Sequence, residues 1–287
     1  MRSDFFRYDR SAQLRFLVND ERAEDGATVT DVRYDDGEAG EVDAVVVRPR
    51  NLTGKRLPGV ILAHGGFEGG KHLFIEQALE LSRSGFTVLL ADTTFPRRGD
   101  TAAVESAVRA GVLTHRRGLD VLQSVYKVGW LAFFGHSRGG SEGAILSAVE
   151  PRLEAIVIGG MGSPSQDRRS RGDEEIEMGP YFDAVFRFDA ALYLSVSGAR
   201  RLLVQHGRHD AEVTLAEARA MFEAASEPKI WREYECGHGV DGHPAARTDR
   251  LAFFLDALDA TSRRTVERHS RTLAQAAVIS LDQNAPG

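Results

Sequence analysis

The stretch Trp130-Leu131-Ala132-Phe133-Phe134-Gly135-His136-Ser137-Arg138-Gly139-Gly140-Ser141-Glu142-Gly143-Ala144 decides how this chain is read. An apolar strand runs into a Gly-x-Ser-x-Gly turn, and small residues then open a helix. A serine hydroxyl is a poor nucleophile until something positions and deprotonates it. A sharp strand-to-helix turn does the positioning: it lifts the hydroxyl above the sheet edge, and the flanking glycines let the crowded backbone close. A five-residue pattern alone also fits an ordinary Gly-Ser turn. Ser137 becomes a candidate nucleophile if an orienting acid and a histidine base follow it.

Outward from this turn, short apolar runs alternate with longer amphipathic stretches, the pattern of βαβ units around a mainly parallel sheet. Eight strands are expected, at Thr28–Tyr34, Val42–Arg48, Gly59–Ala63, Phe86–Ala91, Trp130–Phe134, Ala155–Ile158, Arg201–Gln205 and Lys229–Tyr234. Asp35-Asp36-Gly37 reads as a turn that makes the first two an antiparallel hairpin. Helices are expected at Leu73–Ser84, Ala102–Tyr126, Gly139–Val149, Leu215–Ala225 and Ala245–Leu258, the first stopped by Gly85. Residues 1–260 thus form one α/β domain with helices on both faces of the sheet. Residues 163–188, with Pro164, Pro180, Tyr181, Phe182, Phe186 and Phe188, break the pattern and read as a small insert or lid. Its aromatics either line a pocket or pin the insert down. Residues 261–287 read as a C-terminal helix and tail.

The acid is sought where a strand delivers one. Arg201–Gln205 leads into His206-Gly207-Arg208-His209-Asp210, which sets Asp210 at a strand's carboxyl end. Asp189 and Asp183 lie in the irregular insert, and Glu212 reads as an acid near a helix N-terminus. Lys229–Tyr234 leads into Glu235-Cys236-Gly237-His238-Gly239, a tight loop that presents His238 as the base; His243, just before Pro244, reads as a capping or surface residue. Cys236 reads as a packed neutral thiol. The order Ser137, Asp210, His238 is nucleophile, acid, base. His64-Gly65-Gly66-Phe67 follows the Gly59–Ala63 strand, so its loop supplies one backbone N–H to an oxyanion hole and Arg138 the other. Phe67 is the donor assigned on the loop, with Gly66 as the alternative.

Composition removes other classes. The chain has 287 residues, 42% hydrophobic and 27% charged, and no run near the ~18 apolar residues of a membrane span. Its 36 basic against 42 acidic residues give a net charge of −6, which speaks against a polyanion binder. Arg168-Arg169 and Arg200-Arg201 are at most local basic patches, and the first, near Asp173-Glu174-Glu175 and Glu177, reads as a solvated mixed-charge surface. A single cysteine excludes an internal disulfide and a thiol metal cluster. The charged N-terminus lacks a secretory h-region, so a cytoplasmic location is expected.

On His64-Gly65-Gly66, Gly135-His136-Ser137-Arg138-Gly139-Gly140, His206-Gly207-Arg208-His209-Asp210 and Gly237-His238-Gly239, the chain resembles the α/β-hydrolase superfamily, over roughly Val42 to Leu258. Within it, the dienelactone hydrolase and prolyl-oligopeptidase-like serine esterases are the branch it looks like. Dienelactone hydrolases usually carry a cysteine nucleophile, so the serine departs from them. The resemblance implies a serine hydrolase of small-molecule carboxylic esters, acting through an acyl-enzyme with no metal or organic cofactor. Its partner would be the ester, with no nucleic acid or membrane; a homo-oligomer is compatible with the sequence. Arg98 would buttress a loop rather than bind substrate. Peptide or amide cleavage, C–C cleavage suggested by Gly65-Gly66-Phe67-Glu68-Gly69-Gly70-Lys71, and a non-catalytic binding role are the alternatives.

Overall fold

The computed structural model describes residues 3–38, 40–52, 56–66, 69–93, 101–163, 187–199 and 201–283, the last 19 as backbone only. Nine strands form one sheet: β1 (Phe16–Glu24), β2 (Ala27–Asp35), β3 (Glu41–Pro49), β4 (Pro58–Ala63), β5 (Thr87–Ala91), β6 (Trp130–His136), β7 (Leu153–Gly159), β8 (Leu202–Gly207) and β9 (Lys229–Tyr234). Their order is β1-β2-β3-β5-β4-β6-β7-β8-β9. Pairing is antiparallel from β1 to β5 and parallel from β5 through β9.

The expected eight strands are all present, and β1 is a ninth. Apart from partly covered ends it is exposed, so no apolar alternation marks it. Its pairing is carried by backbone bonds to β2 across an Asp25-Gly26 turn, both residues at positive φ (47° and 78°), the geometry of a tight hairpin. Its charged side chains also protect the sheet edge. The Asp35-Asp36-Gly37 turn joins β2 and β3 as expected, with the Asp35 carboxylate accepting from the Gly37 amide at 3.1 Å.

The helices are α1 (Ile75–Arg83), α2 (Thr101–Ser124), α3 (Arg138–Val149), α4 (Ala190–Leu194), α5 (Leu215–Ala224) and α6 (Pro244–Gln283). Gly85, at φ 94°, ends α1 as read from sequence. The C-terminal segment expected as a separate helix is continuous with the helix at 245–258, because no proline or glycine interrupts the chain between Pro244 and Pro286.

Successive residues of a strand point to opposite faces, so the continuous apolar runs of β4 to β8 feed two cores. Ile61, Leu89, Phe133, Ile156 and Val204 face α2, α3, α4 and α5, beside Val112, Ile145, Ala190 and Met221. Val60, Leu90, Phe134, Val157 and Leu203 face α1 and α6, beside Ala78, Leu81, Phe253 and Phe254. The N-terminal segment closes the first core: Phe6 is fully buried and meets Phe188 edge-on at 5.9 Å. Beside it Arg117, 1% exposed, donates from Nε to Asp35 (2.9 Å) and from Nη1 to Asp120 (3.3 Å). The parallel arrangement brings the carboxyl ends of β4 to β9 to one edge, and Ser137, Arg138, Asp210 and His238 all follow strands that end there.

Candidate active site

The turn after β6 is an elbow. Ser137 takes φ 53° and ψ −119°, a conformation that L residues rarely adopt and that costs on the order of 1–3 kcal/mol. Its surroundings enforce it. A Cβ on Gly135 would lie 2.0 Å from the Gly139 carbonyl oxygen, and one on Gly139 would lie 2.3 Å from that of Ala63. Both glycines of the motif therefore lie where backbone meets backbone. The Ser137 N–H donates to the Gly159 carbonyl at 2.8 Å, which ties the elbow to β7. Arg138 is the first residue of α3, and its N–H has no acceptor within that helix.

Asp210 and His238 meet as expected: Nδ1 of His238 and Oδ2 of Asp210 are 2.8 Å apart. The other carboxylate oxygen accepts from the amides of Glu212 and Val213, each at 2.9 Å. Burial works against the Asp210 charge, but the Val213 amide, the His238 ring and the Glu212 amide together hold its pKa below the ordinary aspartate value. An ionised Asp210 fixes the proton of a neutral His238 on Nδ1, leaving Nε2 as the basic nitrogen. The two loops are locked by close approach: a Cβ on Gly207 would lie 2.1 Å from the Gly237 carbonyl oxygen. The His209 amide also donates to the Cys236 carbonyl at 2.9 Å.

The rivals fall into other roles. Asp189 caps α4, accepting from the Ala191 amide (2.9 Å) and the Ser163 hydroxyl (2.6 Å). His243 packs against Tyr234, ring centroids 5.4 Å apart. Cys236 packs beside Tyr234, Val240 and Ala246, and burial raises its thiol pKa. Glu212 departs from the sequence reading. Thr214 caps α5 in a reciprocal box with Glu217, so Glu212 precedes the cap and its carboxylate lies 3.6 Å from His238 Nε2.

On the β4 loop, burial keeps the His64 pKa low. Its ring approaches the Gly65 carbonyl at 2.7 Å through Nδ1 and accepts from the Thr93 amide at 3.4 Å through Nε2. The Arg138 guanidinium reaches the Thr93 carbonyl (2.9 Å) and hydroxyl (2.7 Å), joining the elbow to the end of β5. Behind it the buried Glu142 pairs with His115 at 2.7 Å. Phe67 lies outside the described residues, as do Asp183, Arg97, Arg98, Arg168, Arg169, Arg200, Tyr181, Phe182 and Phe186. Gly66 is described, and no atom of the described residues stands within 4 Å of where its Cβ would be. Of the remaining aromatics, Phe188 and Tyr193 are core residues, 2% and 1% exposed.

His136, His206 and Arg250 escaped the sequence reading. His206 donates from Nε2 to the Val213 carbonyl at 3.0 Å and so braces the turn that carries Asp210. Their signal was weak: each is a polar residue on an otherwise apolar strand or helix face. Among the described residues no group of three or more His, Cys, Asp or Glu could hold a metal. No helix among them is long and apolar enough to cross a membrane.

No protein-family model and no curated protein sequence matches the chain. Solved structures do. Acetyl xylan esterase 1 from a Thermoanaerobacterium species superposes with a TM-score of 0.70 at 15% identity, over 88% of this chain and 91% of that one. An acetyl xylan esterase from a Paenibacillus species gives 0.66 at 19% identity, over 84% and 87%. An S-formylglutathione hydrolase from Agrobacterium tumefaciens gives 0.60 at 17% identity, over 84% and 98%. At such identities the likeness speaks for architecture. With its large, mostly parallel sheet, helices on both faces and a strand-to-helix elbow, the chain has the α/β-hydrolase fold.

Proposed function

We propose that the chain is a serine hydrolase of small carboxylic esters. The observation that carries this reading is the 2.8 Å Asp210–His238 pair on the same sheet edge as Ser137, held in its elbow at φ 53°. His238 Nε2 takes the Ser137 proton as the hydroxyl oxygen attacks the ester carbonyl. Asp210 stabilises the imidazolium and keeps the ring in its productive tautomer. The Arg138 amide, together with one from the His64–Phe67 loop, receives the oxyanion, each donor contributing about 3 kcal/mol to the transition state. The imidazolium then protonates the leaving alcohol, and water activated by the same histidine releases the acid from the acyl-serine. Three similar solved structures are named as two esterases and a hydrolase, which supports ester chemistry.

The test is turnover of p-nitrophenyl acetate and butyrate by the wild type, Ser137→Ala and Asp210→Asn. Wild-type turnover that disappears in Ser137→Ala supports the reading; turnover that survives in Ser137→Ala sinks it. Peptide anilides, lactones and β-diketones, assayed alongside, separate ester hydrolysis from amide and C–C cleavage.

A further inference from the structure

His238 stands on a turn, and a turn alone does not hold an imidazole to a fraction of an ångström. Two of its carbonyls are held from inside the protein. The first is that of His238 itself, 2.7 Å from Nε2 of His136, the residue just before the elbow serine. The second is that of Asp241, which accepts from the Gln77 amide at 3.0 Å and faces both terminal nitrogens of Arg250 at 3.5 Å. Arg250 is 2% exposed, lies 3.5 Å over the Phe134 ring, and donates further to Gln205 (3.1 Å) and Gln77. Phe134 and His136 share one face of β6, so the strand that delivers the nucleophile carries the His136 anchor and the ring on which Arg250 stacks.

The slot for His136 is built to fit. Its ring is 2% exposed and sits 4.9 Å from that of His238, centroid to centroid. Gly160 makes room for it: a Cβ there would stand 2.7 Å from His136 Nε2. The Asp241 carboxylate lies 3.4 Å from that same nitrogen. With acceptors on both sides, Nε2 carries the hydrogen. Burial lowers the His136 pKa, so the ring is neutral and donates.

We propose that His136 is a positioning residue: it fixes the general base by donating from Nε2 to the His238 carbonyl, coupling the nucleophile's strand to the base's turn. This rests on the Ser137–His238–Asp210 reading. Its effect belongs to the chemical step, since a base displaced by about 1 Å costs on the order of 100-fold in rate while leaving substrate binding intact.

The experiment compares His136→Gln, whose amide nitrogen reaches the Nε2 position, with His136→Asn, whose amide stops short, and with His136→Leu. The readouts are kcat and KM on p-nitrophenyl acetate, with melting temperature as the check on folding. Asn and Leu are expected to lose ~10- to 100-fold in kcat at nearly unchanged KM, and Gln to recover most of it. Equal kcat in Gln and Asn, or wild-type kcat in Asn, overturns the proposal, and this pair decides even if Leu does not fold. A wild type with no Ser137-dependent turnover overturns the underlying reading instead, and the inference falls with it.

Discussion

Gly139→Ala and Gly140→Ala test the elbow as a matched pair, since both substitutions fall in the first turn of α3 and add one methyl. A Cβ on Gly139 would stand 2.3 Å from the Ala63 carbonyl oxygen, 2.7 Å from its carbon and 2.9 Å from the His64 oxygen. Ordinary contact begins near 3.4 Å, so a backbone segment must move by about 1 Å. That segment is the end of β4, which leads into the loop proposed to supply an oxyanion donor. Overpacking costs about 1–3 kcal/mol, and the upper end applies because backbone gives less readily than side chains. A loop displaced by ~1 Å costs a further ~100-fold in kcat. At Gly140 the neighbours are Ile158 Cγ2 and Met161 Cβ, both at 3.1 Å, and the Gly135 carbonyl oxygen at 3.3 Å, and a shift of a few tenths suffices. The helix propensity gained over glycine, about 1 kcal/mol, offsets that. Urea unfolding and p-nitrophenyl acetate kinetics on both variants read the result. Gly139→Ala should lose about 3 kcal/mol and most activity, and Gly140→Ala should stay within about 1 kcal/mol of the wild type. A Gly139→Ala variant with wild-type stability and kcat would refute the packing argument.

Three further outcomes follow from the same geometry. Asp210 has a lowered folded-state pKa, so its stabilisation is complete above the unfolded value near ~3.9 and is lost as pH falls through the folded value. The unfolding free energies of wild type and Asp210→Asn, compared by urea titration from about pH 6 to pH 3, should converge at the acid end. Removing Asp35 leaves the Arg117 guanidinium, 1% exposed, with only Asp120 (3.3 Å) and the Ala12 carbonyl (3.2 Å), so Asp35→Ala should cost about 3 kcal/mol, and Arg117→Met on that background should restore part of it. Glu142→Ala leaves His115, fully buried, without its 2.7 Å partner and should cost about 1–3 kcal/mol by urea unfolding.

What was legible in the sequence follows from what a local pattern can encode. β4 to β8 are covered on both faces, so their apolar runs stand out; β1 is exposed on both and leaves only its Asp25-Gly26 turn as a signal. Gly135 and Gly139 announced the elbow because close backbone approach admits no side chain there. Asp210 and His238 were found because each follows a strand that ends at the same edge, and their 2.8 Å contact is the result. Contacts between distant segments were not legible. His136 to His238 spans 102 residues and Gln77 to Arg250 spans 173, and no periodicity reports which carbonyl a buried imidazole or guanidinium will meet. Glu212 was placed on a helix N-terminus because sequence does not say that Thr214 takes the cap.

The most direct measurement of the central claim is covalent labelling of the folded protein with a fluorophosphonate, with the modified residue mapped by peptide mass spectrometry. The account predicts one adduct, on the peptide that carries Ser137, formed orders of magnitude more slowly when His238 is replaced by alanine. An adduct on another residue, an adduct formed equally fast without His238, or a folded protein that stays unlabelled would contradict it.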